Sequence, residues 1–162
     1  MKIVFFGTPY FVIPILEVLE KNFEVIRIVT TLNEKSGKKQ ILTASTVKNK
    51  ILTPKKLNLN FENELNKLSP DLLIVAAYGK IIPLSLLSIA TYGALNIHPS
   101  LLPKYRGSSP LQEQILNDAG GPESNEGVGV SIMLIDKQVD HGAIIAQKKV
   151  NVAGWPVGFI TL

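Results

Sequence analysis

The chain contains no cysteine among its 162 residues. Disulfide bonds, thiolate catalysis and cysteine-ligated zinc are therefore excluded, and the reducing cytoplasm is the expected setting. Histidine is scarce as well: two residues in the whole chain argue against a structural metal site. We therefore expect a protein that uses no metal.

Long apolar runs are also missing. The run after Met1 breaks at Gly7 and Pro9, which is too early for the apolar region of a signal peptide. The stretch 72–77 is the longest other apolar run and is far shorter than the ~20 residues that span a bilayer. These observations predict a protein without a membrane partner.

Three motifs of nucleotide binding and nucleophilic catalysis are absent. No G-x-G-x-x-G follows the first apolar run, so the dinucleotide fingerprint is missing. The sequence SGKK at 36–39 resembles part of a phosphate-binding loop but lacks its spacing and its final Ser or Thr. No G-x-S-x-G nucleophile elbow occurs.

What is present is an alternation of strand and helix patterns. Apolar, β-prone runs predict strands over 2–6, 23–31, 51–53, 72–78, 92–97, 127–135 and 143–150. Helices are predicted from Thr8, as N-cap with Pro9 in the first turn, to Asn22, and over 61–68, 83–89 and 108–116. The first helix is expected to pack through Phe11, Ile15, Val18 and Leu19.

The alternation predicts an α/β fold: a Rossmann-like, open, mostly parallel twisted sheet with helices on both faces. A length of 162 residues and an apolar content of 46% fit one domain with its own core. Ligands bind to such sheets beyond the carboxyl ends of the strands. We therefore looked for chemistry at the strand ends.

Asn96 and His98 occupy one such strand end. Residues two apart in a strand point to the same side, so an amide and an imidazole can face one crevice. The amide can donate to an oxygen that becomes negative in a transition state, and the imidazole can carry a proton near neutral pH. Asp140, expected at the end of a neighbouring strand, can orient His98 and favour its charged form. The three together suit acyl transfer without a covalent nucleophile.

The spacing alone leaves other interpretations open. His98 can equally be a turn residue bonded to backbone, with Asn96 as a strand-end cap. The second histidine, His141, is most simply an exposed turn residue. The segment Ser100–Pro103, flanked by Pro99, is stiff because two prolines fix φ, so it is either one wall of a ligand pocket or only a connector.

Lysines are concentrated in one part of the chain, although the net charge is only +4. Seven of them and no acidic residue lie between positions 35 and 56: Lys35, Lys38, Lys39, Lys48, Lys50, Lys55 and Lys56. Such a cluster favours phosphates or nucleic acid as partners, and it is also typical of a solvated surface.

Four blocks carry a family resemblance. They are FFGTPYF at 5–11, VAAYGKIIP at 75–83, NIHPSLLPKYRGSSPLQEQIL at 96–116 and GVSIMLIDKQVDHGAII at 129–145. In this order they resemble the methionyl-tRNA formyltransferase family, in the amino-terminal catalytic domain. The SLLP and YRGSSP elements are specific motifs, although NIHPSLLP also occurs in glycinamide ribonucleotide formyltransferase.

The resemblance implies transfer of a formyl group from 10-formyltetrahydrofolate to the amino group of methionine on initiator Met-tRNA. It implies that Asn96, His98 and Asp140 match the family's catalytic residues. A second set matches the folate side of the site: Tyr78, Gly79, Ser100, Leu101, Leu102 and Pro103. A third set is implied in tRNA binding: Lys35, Lys38, Lys39 and Arg106.

The sequence also departs from the family pattern. The connection NDAGGPESNEG at 117–127 is longer than usual, and His141 stands where a small residue or threonine is common. The family's carboxy-terminal β-barrel domain does not follow, so we expect residues 1–162 to be a truncated catalytic domain, working as a monomer. An amino-sugar nucleotide or glycinamide ribonucleotide stays open as acceptor, and so does a non-catalytic fragment that binds folate or RNA.

Overall fold

The computed structural model describes residues 1–31, 50–117 and 128–150. The chain divides into two compact units, Met1–Leu95 and Asn96–Leu162. The lysine-rich segment that precedes position 50 and the long connection after Asn117 lie largely outside the described residues. Within the described ranges, no helix is long and apolar enough to cross a membrane.

The first unit is built on parallel strands. They are β1 (Lys2–Gly7), β2 (Glu24–Val29), β3 (Ile51–Leu52) and β4 (Leu72–Ala76). The parallel pairings are β1 with β2, β1 with β4, and β2 with β3. The helices of this unit are α1 (Ile13–Asn22), α2 (Leu59–Asn66) and α3 (Leu84–Leu87). The predicted strand–helix–strand unit over the first 30 residues is confirmed.

The second unit contains the helix α4 (Pro110–Asn117) and the strands β6 (Gly129–Leu134) and β7 (Ile144–Lys149). The strand β5 (Ala94–His98) begins in the first unit and ends in the second. β6 and β7 pair antiparallel. The sheet order is β3-β2-β1-β4-β5-β6-β7, which confirms the prediction of a mostly parallel sheet with helices.

β1 and β4 form the core of the first unit. Ile3–Gly7 and Leu72–Ala76 are buried at every position. A strand that is buried along its whole length loses the alternation of apolar and polar residues, because both of its faces are covered. This is why the run at 72–76 was recognisable as a central strand from its sequence.

The predicted start of the first helix is wrong. Thr8 caps nothing: a 3₁₀ turn over Tyr10–Val12 comes first, and α1 begins at Ile13. The Thr8 hydroxyl instead donates to the Tyr78 carbonyl over 3.0 Å. Phe11 and Val18, expected in the core, are exposed. The side chains that pack are those of Val12, Leu16 and Leu19.

Candidate active site

Asn96 and His98 leave the end of β5 toward one shared carboxylate. The Asn96 Nδ2 atom donates to Asp140 Oδ1 over 3.0 Å. The His98 Nδ1 atom lies 3.6 Å from Asp140 Oδ2. The structure therefore brings these three sequence-predicted residues together, and it places both β5 side chains on one side of the strand, as a period of two requires.

Asp140 is the hub of this cluster, which we call the Asp140 cluster: Asn96, His98 and Asp140. The carboxylate also accepts from the Gly107 backbone N–H, over 2.9 Å at Oδ2. Its side chain is only 9% exposed. A carboxylate with so little water around it has to be satisfied by protein donors, and here a side-chain amide and a backbone N–H donate to it.

The turn that carries Asp140 is tightly built. Asp140 has φ of +50°, in the left-handed region that aspartate tolerates better than most residues. Gly142 follows, and a Cβ atom there would lie 1.9 Å from the Leu134 carbonyl oxygen. Only glycine lets the chain pass this close to the end of β6. The turn thus fixes where the carboxylate is presented.

His98 is 4% exposed. Its Nε2 atom lies 2.9 Å from the Tyr105 carbonyl oxygen. The structure thus contains features of both interpretations of His98, as a residue bonded to backbone and as a residue paired with an aspartate. The ring bonds to backbone through one nitrogen and faces an acidic side chain through the other.

The loop Ser100–Pro103 is held from several sides. Ser100 is fully buried and its hydroxyl donates to the Lys104 carbonyl over 2.7 Å. The Ser131 hydroxyl, from β6, donates to the Ser100 carbonyl over 2.6 Å and accepts from the Leu102 N–H over 3.0 Å. Gln147, from β7, donates to the Leu102 carbonyl over 2.8 Å. The loop is rigid for reasons beyond its prolines.

These contacts divide the loop residues into two kinds. Ser100 and Leu102 are buried, so their side chains hold the loop in place. Leu101 and Pro103 keep accessible surface. A Cβ atom at Gly129 would come within 2.5 Å of the Leu101 side chain, so this glycine makes room for the loop. The predicted folate contacts of the loop remain a prediction, best placed on Leu101 and Pro103.

Tyr78 and Gly79, the other two residues predicted on the folate side, belong to the first unit. Tyr78 is 2% exposed, and its ring meets Phe6 edge-on at a centroid distance of 5.3 Å. Its hydroxyl has no hydrogen-bond partner within the described residues. Burial raises the pKa of the Tyr78 phenol to about 12. Gly79 has φ of +79°, so it turns the chain after β4.

The residues predicted to bind tRNA are Arg106, whose side chain is exposed, and Lys35, Lys38 and Lys39, which lie outside the described residues. His141 is an exposed turn residue, as its position suggested. Its Nδ1 atom lies 3.5 Å from Asp136 Oδ2, and the two side chains are 54% and 42% exposed.

The sequence did not reveal four groups of this site: the Tyr105 carbonyl, the Gly107 N–H, and the side chains of Ser131 and Gln147. The first two are backbone atoms, whose orientation no residue type announces. Ser131 did leave a signal, since it is a polar residue inside the apolar strand β6, and a fully buried side chain of this kind needs partners. Gln147 lies in the exposed strand β7 beside two lysines, so its sequence position gave no such signal.

The family model named formyl transferase matches residues 1–154. Relatives include the methionyl-tRNA formyltransferase of Listeria welshimeri serovar 6b, 43% identical over 159 residues. That match covers 93% of this chain and 49% of the relative. The enzyme of the same name from Wolbachia pipientis subsp. Culex pipiens is 42% identical over 158 residues, covering 92% of this chain and 51% of the relative. The chain thus spans about half the length of the relatives it matches.

Solved structures agree on the fold. The phosphoribosylglycinamide formyltransferase of Bacillus halodurans superposes with a TM-score of 0.74 at 23% identity, covering 97% of this chain and 83% of that one. A 4-N formyltransferase from Francisella tularensis gives a TM-score of 0.64 at 24% identity, covering 93% and 57%. At this level of identity the likeness shows the architecture and leaves the acceptor open.

Proposed function

Since the chain belongs to the formyl transferase family, we propose that it forms the formyl-transferring part of a methionyl-tRNA formyltransferase. The donor in this proposal is 10-formyltetrahydrofolate and the acceptor is the methionine amino group of initiator Met-tRNA. The single observation that carries the chemistry is the Asp140 cluster, in which an amide and an imidazole meet one buried carboxylate. The identity of about 43% to a named methionyl-tRNA formyltransferase supports this choice of acceptor.

The reaction needs a donor for a developing oxyanion. When an amine attacks a formyl carbon, a C–N bond forms and the carbonyl electrons move to oxygen. The Asn96 amide has two N–H groups, and the one bonded to Asp140 fixes the direction of the other. We assign this second N–H to the formyl oxygen. A donor that is held before the reaction stabilises the transition state at no cost of reorganisation.

The reaction also moves a proton, because the attacking amine loses one and the leaving nitrogen of the folate gains one. His98 is the group suited to this, since imidazole exchanges protons near neutral pH. Asp140 has the supporting role. It holds Asn96, and its carboxylate lies beside Nδ1 of the His98 ring.

The fit of the folate donor rests on the loop Ser100–Pro103. The bonds from Ser131 and Gln147 hold this loop before any ligand arrives, so little conformational entropy is lost on binding. Within this arrangement Leu101 and Pro103 offer apolar surface to the donor. No other group of the loop is needed for the proposal.

The tRNA part of the proposal rests on charge. The lysine cluster between positions 35 and 56 carries no acidic residue, and each lysine that neutralises a phosphate releases counterions. Replacing Lys38 and Lys39 together by alanine should weaken tRNA binding and flatten its dependence on salt concentration. An unchanged salt slope would show that this segment is only a solvated surface.

An acceptor competition tests the function as a whole. The chain is incubated with 10-formyltetrahydrofolate and, in separate reactions, with Met-tRNA, glycinamide ribonucleotide and an amino-sugar nucleotide. We expect formyl-methionyl-tRNA and neither other product. Formylation of another acceptor in preference to Met-tRNA would overturn the assignment. No turnover of any acceptor, even by the longest protein that carries this sequence, would favour a folate- or RNA-binding module.

A further inference from the structure

The segment Lys104–Gly107 has no role in the chemistry described so far, yet two of its backbone groups touch the Asp140 cluster. The Tyr105 carbonyl lies 2.9 Å from His98 Nε2. The Gly107 N–H donates to Asp140 Oδ2 over 2.9 Å. One short segment therefore contacts both members of the His98–Asp140 pair through backbone atoms.

The first contact decides which ring nitrogen of His98 carries a proton. A carbonyl oxygen only accepts, so Nε2 has to be the donor at this distance. Neutral imidazole has one N–H, which leaves Nδ1 with its lone pair. That lone pair faces Asp140 Oδ2 at 3.6 Å, too far for a hydrogen bond. Nδ1 is thus the nitrogen that can gain and lose a proton while the ring stays anchored.

The second contact fixes the acceptor that Nδ1 faces. Asp140 Oδ2 is the oxygen nearest to the ring, and the Gly107 N–H holds that same oxygen. Asn96 holds the other oxygen of the carboxylate. The carboxylate is therefore held at both oxygens by donors other than His98.

The segment has an unusual backbone. Tyr105 has φ of +58° and Gly107 has φ of +111°. A left-handed conformation is unfavourable for a residue with a side chain, so surrounding bonds must hold it. Here the Ser100 hydroxyl bonds to the Lys104 carbonyl, and the Lys104 N–H bonds to the Leu101 carbonyl. Strain retained in this way beside a reactive group is a feature of functional sites.

We propose that the segment Lys104–Gly107 is a positioning element, which keeps the proton of neutral His98 on Nε2 and reserves Nδ1 for proton exchange during formyl transfer. Without the Tyr105 carbonyl as its acceptor, the single proton of the neutral ring would move to Nδ1, which faces the Asp140 carboxylate. The inference about catalysis rests on the proposed function. The inference about the tautomer does not.

Two substitutions at one position separate backbone from side chain. Tyr105→Gly removes the side chain but favours the left-handed conformation, so the carbonyl should stay in place. Tyr105→Val keeps a side chain of moderate size, but a β-branched residue is strongly disfavoured at positive φ, so the carbonyl should turn away. Ser69→Val is the matched control, because Ser69 also has a positive φ, of +48°, and belongs to the first unit.

The direct readout is the ¹⁵N NMR spectrum of the imidazole nitrogens, recorded where the ring is neutral. The chain has only two histidines, and a His141→Gln variant assigns the signals. We expect the Nε2–H form of His98 in the unchanged chain, in Tyr105→Gly and in Ser69→Val, and a shift toward Nδ1–H in Tyr105→Val. For turnover we expect Tyr105→Val to lose about tenfold or more in kcat with little change in KM for the donor.

The outcomes are distinct. Retention of the Nε2–H form in Tyr105→Val, or its loss in Tyr105→Gly, would overturn the proposal. If Tyr105→Val does not fold, Gly107→Ala replaces it, because φ of +111° disfavours alanine while a Cβ atom there would meet no atom of the described residues within 4 Å. In Gly107→Ala the Asp140 carboxylate loses one donor and should move more freely. The ¹⁵N signals of the His98 ring should then change. If the tautomer behaves as expected and no acceptor is formylated, the proposed function fails while the positioning role stands.

Discussion

The chain has two histidines, and each lies beside an aspartate at almost the same distance. His98 is 3.6 Å from Asp140, and His141 is 3.5 Å from Asp136. The first pair is almost buried, with side chains 5% and 9% exposed, whereas those of the second are 54% and 42% exposed. Both aspartates belong to the stretch between β6 and β7, so sequence position hardly separates them.

The two pairs show which features suit a histidine–aspartate contact to catalysis. In water, an ion pair of this length is screened and contributes little. In the buried pair, Asn96 and Gly107 also hold the carboxylate, so its charge is fixed in direction and only weakly screened. Burial and additional donors, rather than the distance between histidine and aspartate, distinguish the candidate site.

The largest effect should come from breaking the buried pair and not the exposed one. Asp140→Asn removes the charge and turns one acceptor oxygen into a donor facing donors, so we expect kcat to fall by about 10²–10³-fold. Asp136→Asn is the matched control and should leave kcat unchanged. Steady-state rates of formyl transfer check both. Equal losses of kcat in the two variants would show that the burial of the His98–Asp140 pair does not matter for catalysis.

A smaller effect is expected from two serines, one of which is buried and the other exposed, like the two histidine–aspartate pairs. Ser131 is fully buried and its hydroxyl makes three hydrogen bonds, to Ser100, Leu102 and Gln147. Ser131→Ala removes all three bonds and takes this partner from the Ser100 carbonyl and the Leu102 N–H, so we expect the free energy of unfolding to fall by about 1–3 kcal/mol.

Ser85 is the exposed counterpart, with one bond to Glu62. Ser85→Ala should change the free energy of unfolding by less than about 0.5 kcal/mol. Urea denaturation of both variants gives the two values. A loss in Ser131→Ala no greater than that in Ser85→Ala would mean that the loop Ser100–Pro103 does not depend on β6.

The smallest effect concerns Tyr78, a buried residue whose hydroxyl has no hydrogen-bond partner in the part of the chain that the structure describes. The Tyr78 phenol has its pKa raised from 10.0 to about 12 by burial, so the folded state resists its ionisation. This contribution to stability is fully present below pH 10 and is lost as the pH rises through about 12. Tyr78→Phe should therefore leave stability at pH 7 nearly unchanged and flatten its decline in that alkaline range. Denaturation curves from pH 9 to 12 that coincide for the two chains would contradict the assignment.

Much of the fold was predictable because its signals are local. Continuous apolar runs marked the buried strands β1 and β4, and the period of two placed Asn96 and His98 on one side of β5. The start of α1 was predicted wrongly for a reason that lies 70 residues away. Thr8 has the chemistry of an N-cap, but its hydroxyl bonds to the Tyr78 carbonyl instead.

The candidate site, too, was only partly predictable from local sequence signals. Asp140 could be proposed as a partner of His98 because side-chain types reveal carboxylates. The Tyr105 carbonyl and the Gly107 N–H could not be proposed as partners from the sequence. Every residue has backbone groups, and only the folded chain orients them. Their one local sign was the glycine itself, which allows φ of +111°.

The role proposed for the Asp140 cluster is formyl transfer, and the decisive variant is Asn96→Ala. Single-turnover transfer from 10-formyltetrahydrofolate to Met-tRNA should be about 10²–10³-fold slower in this variant, because the donor to the oxyanion is gone. Its unfolding midpoint should stay close to that of the unchanged chain, and the exposed Asn22→Ala should keep the full rate. A near-normal rate for Asn96→Ala would contradict the account.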